Sequence, residues 1–347
     1  MNFCIQEDID KILIGLKHHY KDIAGKNFLI AGAGGFLGPY ISLIIEKINQ
    51  ISSKKSKILA LDNFINESNK KEFRDFKNVK LRKCDIVNKI NFPDKFDYII
   101  NAAGIASPFY YRKYPLQTLD VAITGTRNLL ELAKKNSSKF TFFSSSEIYG
   151  NPDNKNVPTS ESYRGNVATS GPRACYDESK RLGETLCYIY NKEYKVHTNC
   201  IRPFNVYGPG MKKNDYRVLP NFAQQIKKGQ KLNIYGSGKQ TRTYCYIVDA
   251  IIGFFKVFVK GKSGEIYNIG NNKPEISVLD LTKIICEIFK GDKIKYSLIK
   301  YPSSYPSDEP QRRCPDLSKA RKDLNYHPII NIKEGLEKYL NWSKINY

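Results

Sequence analysis

Tyr176 and Lys180 stand four apart in the stretch GPRACYDESKR, just past the middle of a 347-residue chain. On a helix that spacing puts both side chains on one face, and the apolar residues that follow, Leu182, Leu186 and Ile189, predict a helix here. An ammonium close to a phenol hydroxyl favours the phenolate, so the pair could abstract a proton near neutral pH. With 24 tyrosines in the chain, such a pair arises easily by chance. Its weight comes from Ser144-Ser145-Ser146-Glu147, upstream at the end of an apolar run. The C-terminal ends of parallel strands are where doubly wound sheets build their sites.

A second constellation lies near the N-terminus. Gly32, Gly35 and Gly38 form G-x-x-G-x-x-G directly after the apolar run Asn27 to Ala33, with Phe36 and Leu37 opening a helical pattern that continues to Ile48. In the turn from a strand into a helix, such glycines let the backbone approach a pyrophosphate, whose charge is met by amides at the helix N-terminus. The second strand ends in Asp62, followed by Asn63. A carboxylate there can accept from both hydroxyls of an adenosine ribose and would repel a 2'-phosphate, so NAD is expected rather than NADP. Asp85 and Ile86, after the third strand, are placed to meet the adenine edge, and Ala103 closes the fourth. A cationic nicotinamide ring beside Tyr176 would favour its phenolate further.

The elements that must position these residues can be read from the apolar runs. Lys57 to Asp62, Val79 to Asp85, Phe96 to Ala103 and Phe140 to Ser146 each read as a strand, separated by helix-length or loop-length intervals. That alternation predicts an α/β protein with a Rossmann-type doubly wound parallel sheet. After His197 to Asn205 the texture breaks at Pro203, Gly208, Pro209 and Gly210 into short strands such as Leu232 to Gly236, short helices and a proline-rich loop from Pro302 to Pro310. The expected division is an N-terminal helical extension (1–24), a cofactor domain (25–205 with about 243–271) and a smaller α/β substrate lobe (about 206–242 with 272–347).

Composition narrows the function classes. A net charge of +22 raises the question of nucleic acid, but the lysines are spread in ones and twos with no basic, aromatic-laced face, so no nucleic-acid partner is expected. Eight scattered cysteines without a C-x-x-C pair, and only four histidines, suggest neither a metal site nor a disulfide framework. Reduced thiols and the lack of a long apolar run predict a soluble, cytoplasmic protein with no membrane partner.

The glycine loop, Asp62, Ser-Ser-Ser-Glu, Tyr-x-x-x-Lys and the later Arg-Pro-Phe-Asn-Val-Tyr-Gly-Pro-Gly occur in the order of the extended short-chain dehydrogenase/reductase family of nucleotide-sugar enzymes, which the chain resembles from Lys26 to its C-terminus. GPRACYDESKR, NDYRVLPNF, IYGSGKQTRTY and DEPQRRCPD look most like UDP-glucuronate decarboxylases. The resemblance implies NAD as a recycled cofactor, Tyr176 as acceptor of the sugar C4 hydroxyl proton with Lys180 beside it, and Ser145 or Ser146 bonded to the same oxygen. It places Glu147 and Arg313 near the reacting carboxyl end of the sugar. It places Asn205, Arg217, Tyr235, Gln240 and Arg242 on the pyrophosphate and base of a nucleotide-sugar substrate.

The resemblance also implies a homodimer through helices near Leu116 to Lys135 and Tyr176 to Lys192. Related 4,6-dehydratases carry Asp-Glu where this chain has Ser146-Glu147, which makes loss of a C6 hydroxyl harder. The 4-epimerases need no carboxylate at Glu147. Decarboxylases commonly carry Lys and Asn where Asp120 and Ala122 stand here. A dehydratase, 4-epimerase or C4 oxidase acting on another nucleotide sugar, and a non-enzymatic NAD-sensing regulator, are the alternative readings.

Overall fold

The structure is a computed structural model that describes residues 2–65, 70–290, 294–301 and 310–347. Nearly all of the expected loop from Pro302 to Pro310 lies outside the described residues. The strands, in chain order, begin with β1 (Asn27–Ala31), β2 (Lys57–Asp62), β3 (Val79–Lys83), β4 (Tyr98–Asn101), β5 (Lys139–Phe143), β6 (Thr198–Pro203) and β7 (Val206–Tyr207). They continue with β8 (Leu232–Tyr235), β9 (Thr241–Arg242), β10 (Cys245–Tyr246), β11 (Glu265–Ile269), β12 (Ile276–Ser277), β13 (Tyr296–Ile299) and β14 (Arg312–Arg313).

Seven of these form the central sheet in the order β11-β6-β5-β4-β1-β2-β3, every pair parallel. Both faces are covered, which explains why the strands read as apolar runs. Successive residues of β1 point to opposite layers. Phe28 and Ile30 join a core with the Leu37–Ile51 and Ile247–Lys260 helices, while Leu29 and Ala31 join one with the Thr126–Asn136 and Ala174–Tyr194 helices. Ala31 is in register with both Leu61 and Asn101. The chain leaves β1 toward β2 on one side and reaches β4 on the other, so a crevice opens at this reversal of strand order, above the glycine loop.

The expected strand from Phe140 to Ser146 ends at Phe143. Ser144 to Ser146 leave the sheet because Ser145 Oγ accepts from the Glu147 amide at 3.2 Å and caps a short helical turn, Ser146–Tyr149. The segment from Leu116 to Lys135 comprises the Pro115–Asp120 helix, a widened turn at Val121–Gly125 and the Thr126–Asn136 helix. Toward the C-terminus, β9 lies between β12 and β14, and β8 pairs with β13. The Glu265–Ile269 strand returns to the central sheet beside β6.

The Gln6–Leu16 helix packs on Ile247–Lys260, burying Ile9, Ile12 and Leu16. Its Asp8 carboxylate is fully buried and accepts from Tyr246 Oη at 2.6 Å and Lys338 Nζ at 3.1 Å. No described helix is long and apolar enough to cross a membrane.

Candidate active site

The turn after β1 is shaped by contacts that no side chain could share. Gly32 has φ +76°, and a Cβ there would lie 2.5 Å from the Ala103 amide nitrogen; at Gly38 it would lie 2.1 Å from the Ala33 carbonyl oxygen. Gly35 differs, because a Cβ there would meet only the Gly32 oxygen, at 3.2 Å, so its open side faces the cleft. Gly32, Gly35, Asp62, Asn63, Asp85, Ile86 and Ala103 line a cavity of about 250 Å³. Asp62 accepts from the amides of Gly34 at 2.8 Å and Phe64 at 2.7 Å, and desolvation raises its carboxyl above the usual range. Asp85 accepts from Asn63 Nδ2 at 3.1 Å. An open backbone cradle with a carboxylate at the end of the second strand fits a dinucleotide.

Gly32, Gly35, Ala102 and Gly104 also line a larger cavity of about 730 Å³. Its wall brings together Phe36, Leu37, Ser145, Ser146, Glu147, Tyr176, Lys180, Asn205, Arg217, Tyr235, Gln240, Arg242 and Arg313. Every expected site residue therefore lines one of the two cavities except Gly38, which lies behind the loop and lets the helix pack against Ala33.

Tyr176 and Lys180 sit on the first turns of the Ala174–Tyr194 helix, both buried, and Tyr176 stacks on Tyr111 at 5.3 Å between ring centroids. The expected contact between ammonium and phenol is replaced by another. Lys180 Nζ donates to the Phe143 carbonyl at 2.8 Å and lies 4.9 Å from the Phe142 ring centroid and 5.8 Å from that of Tyr176. Desolvation lowers Lys180 to about 8, against a weaker upward pull from Glu184. Burial pushes Tyr176 up to about 12, with a hydrogen bond involving Ser145 pulling the other way. A positive charge placed beside the phenol would lower this value.

Beside Ser145 and Tyr176 in the cavity wall, Glu147 is held by two arginines. Arg313 Nη1 and Nη2 donate to its two carboxylate oxygens, each at 2.6 Å, and Arg173 Nη2 donates to the second oxygen as well. Desolvation would raise Glu147, but Arg313, then Arg173 and Arg242, hold it down at about 2. Pairing of β9 with β14 sets Arg242 beside Arg313. Arg242 is anchored by the carbonyls of Thr241, Gln311 and Pro310 at 2.8, 3.2 and 2.7 Å. Arg217 is gripped by Asp215, Asn205 Nδ2 donates to the Thr243 carbonyl at 2.8 Å, and Tyr235 stacks on Tyr301.

Arg173 escaped the sequence reading although it stands three residues before Tyr176. An arginine at a helix start reads as a surface residue, and its partner Glu147 is remote in sequence. Tyr111 and Arg112, in the turn Pro108-Phe-Tyr-Tyr-Arg-Lys, and Tyr216, in NDYRVLPNF, also line the cavity.

The NAD dependent epimerase/dehydratase family matches residues 28–270. The chain is 35% identical over 320 residues to UDP-glucuronic acid decarboxylase 1 of Xenopus tropicalis, covering 91% of this chain and 72% of that protein. It is 34% identical over 310 residues to UDP-glucuronic acid decarboxylase 6 of Arabidopsis thaliana, covering 89% and 86%. Among solved structures, the UDP-glucuronic acid 4-epimerase of Bacillus cereus in complex with UDP-glucuronic acid and NAD superposes with a TM-score of 0.77 at 26% identity, covering 92% of this chain and all of that one (100%). An epimerase from Methanothermobacter thermautotrophicus shares the fold with a TM-score of 0.83 at 24% identity, covering 96% of each chain.

Proposed function

Because the chain belongs to the NAD dependent epimerase/dehydratase family, we propose that it decarboxylates UDP-glucuronate to UDP-xylose. The observation that carries this reading is the arginine-held Glu147 in the wall of a cavity that also takes in Gly32 and Gly35 of the NAD cradle. A sugar bearing a carboxylate at C6 offers these arginines a second partner of the kind they already hold in Glu147, which a neutral sugar does not.

NAD is the cofactor, held by the turn from Gly32 to Gly38, Asp62 and the Asp85-Ile86 corner; when bound, it takes up and returns a hydride at sugar C4. With the positive charges of Lys180 and of the oxidised nicotinamide beside it, Tyr176 as the phenolate accepts the C4 hydroxyl proton, and Ser145, hydrogen-bonded to Tyr176, holds the same oxygen. Lys180 keeps a positive charge within reach of the tyrosine ring. With C4 a ketone, the C6 carboxylate is a β-keto acid, so carbon dioxide leaves from C5 and the bonding electrons pass into an enolate. Protonation at C5 gives a 4-keto pentose, and Tyr176 returns its proton to the C4 oxygen as the hydride returns to C4, which completes UDP-xylose. Asn205, Arg217, Tyr235, Gln240 and Arg242 hold the nucleotide diphosphate in the lobe formed around β8 to β10 and β12 to β14.

A homodimer fits the surface. Leu116, Leu182, Tyr188 and Ile189 stand exposed on the Pro115–Asp120 and Ala174–Tyr194 helices, where a second copy could cover them.

A second reading, 4-epimerisation of UDP-glucuronate, is favoured by the Bacillus cereus neighbour. One reaction separates the two. Purified protein is incubated with UDP-glucuronate and catalytic NAD, and the sugar is read by NMR. UDP-xylose supports the decarboxylase, UDP-galacturonate supports the epimerase, and unchanged UDP-glucuronate overturns both.

A further inference from the structure

The ion pairs around Glu147 form a chain of alternating sign, Arg313, Glu147, Arg173 and Asp177, with Arg242 close by. Arg313 grips both oxygens of Glu147, and Arg173 takes one of them. The Nε of Arg173 lies 3.5 Å from the carboxylate of Asp177, next to Tyr176 on the catalytic helix. Arg173, Arg313 and Asp177 are all buried, at 8, 8 and 5% exposure. The other groups facing Glu147 are Arg242, anchored by three carbonyls on the β9 side, and the phenols of Tyr111 and Tyr176. Arg313 Nε is a buried donor without a hydrogen-bond partner among the described residues.

A sugar carboxylate arriving here meets arginines whose forks are already engaged by Glu147. Two carboxylates cannot share these buried guanidinium groups without strong repulsion, and the usual resolution is that one of them takes a proton. The sugar carboxylate is an ordinary acid in water, whereas Glu147 loses its partners at that moment. Glu147 is therefore the group that takes the proton.

Resting on the decarboxylase reading, we propose that the substrate carboxylate takes over guanidinium contacts which Glu147 holds in the free protein, and that Glu147 binds a proton from solvent as it yields them. Arg173 is the positioning residue of this exchange. It holds Glu147 anionic and in place while the site is empty. The step moves one proton from buffer to the Glu147 carboxylate and breaks no bond in the sugar. A nucleotide sugar with a hydroxymethyl group at C6 leaves the ion chain intact and requires no proton.

The test is calorimetric, on NAD-loaded Tyr176→Phe protein, which binds substrate without turning it over. Binding heats are measured near pH 7.5 in buffers of different ionisation enthalpy, for UDP-glucuronate and for UDP-glucose. The expected result is uptake of about one proton per site with UDP-glucuronate and none with UDP-glucose. Uptake should vanish when Glu147→Gln is added. Adding Arg173→Lys instead should change uptake and weaken UDP-glucuronate by about tenfold while leaving UDP-glucose within about twofold, a selectivity that a merely structural arginine would not produce. UDP-glucuronate binding with no proton uptake, or uptake that survives Glu147→Gln, would overturn the exchange alone. No binding of UDP-glucuronate at all would overturn the substrate reading and the exchange with it.

Discussion

At the glycine-loop end of the cleft, the turn's main chain is joined by the carboxylates of Asp62, Asp85 and Asp120, and Asp62 itself holds the loop amides of Gly34 and Phe64. In the larger cavity the lining groups include the side chains Glu147, Arg173, Arg217, Arg242 and Arg313, drawn from segments far apart in the chain, with Arg173 and Arg313 paired to Glu147, Arg242 set beside Arg313 and Arg217 paired to Asp215. A main-chain cradle is set by where a Cβ is forbidden, so it presents one shape to one cofactor. A side-chain cluster is set by charge balance, so it can trade partners with a charged substrate. Binding the cofactor and choosing the sugar should therefore fail separately under mutation.

The largest expected effect lies where the two ends meet. Tyr176→Phe removes the proton acceptor and should lower turnover by about 10³-fold or more, while NAD binding, read by fluorescence titration, stays within about threefold. Comparable losses of both would show that the two ends are not independent.

Next come the glycines, which sharpen the claim about main-chain shape. Gly38→Ala drives a methyl into the Ala33 carbonyl and should lower both the melting temperature and NAD affinity, the latter by about 3 kcal/mol or roughly 100-fold. Gly35→Ala has room within the protein, so it should spare the melting temperature and cost NAD affinity alone. The reverse ranking would break the account of the loop.

Lys180 tests the strain stored at the junction. Its folded-state value of about 8 lies below the ordinary 10.5 of a lysine, so burial of the charged form costs about 3 kcal/mol. Sign and window follow from those two values. The penalty is fully present below about 8, shrinks between 8 and 10.5, and is gone above. Lys180→Met should therefore abolish turnover yet raise stability at pH 7 in chemical denaturation, with the gain fading as pH climbs past 8 to 10.5. A stability loss at pH 7 would show that the bond to Phe143 outweighs the burial cost.

The smallest effect is expected at Asp62. Asp62→Ser should reduce NAD affinity by about tenfold, near 1.4 kcal/mol, and narrow the preference over NADP without altering the choice of sugar.

The contrast also explains what could be read from the sequence. Strands buried on both faces announce themselves as apolar runs, and the glycine turn is a local motif, so the sheet and the cofactor end were legible residue by residue. Ser144 to Ser146 were misread as strand because a side-chain cap, not hydropathy, ends β5. The arginine end was different. Thr241–Arg242 and Arg312–Arg313 are two-residue strands, too short to show any period, and only their pairing sets Arg242 beside Arg313. Arg217, Arg242 and Arg313 were found through the family resemblance, and Arg173, which nothing local distinguishes, was not found at all. Spacing likewise shows that Lys180 shares a helix face with Tyr176, but not that its ammonium turns to the Phe143 carbonyl.

The most direct test of the central claim, that the arginine-framed end acts on a C6 carboxylate, is a single reaction with UDP-glucuronate labelled with carbon-13 at the carboxyl carbon. The NAD-loaded protein and labelled substrate are followed in a sealed NMR tube. The account expects the carboxyl signal to pass into carbon dioxide and bicarbonate, one for each UDP-xylose formed, with NAD undiminished at the end. A carboxyl signal that stays on the sugar, whether the C4 centre inverts or nothing turns over, would contradict it.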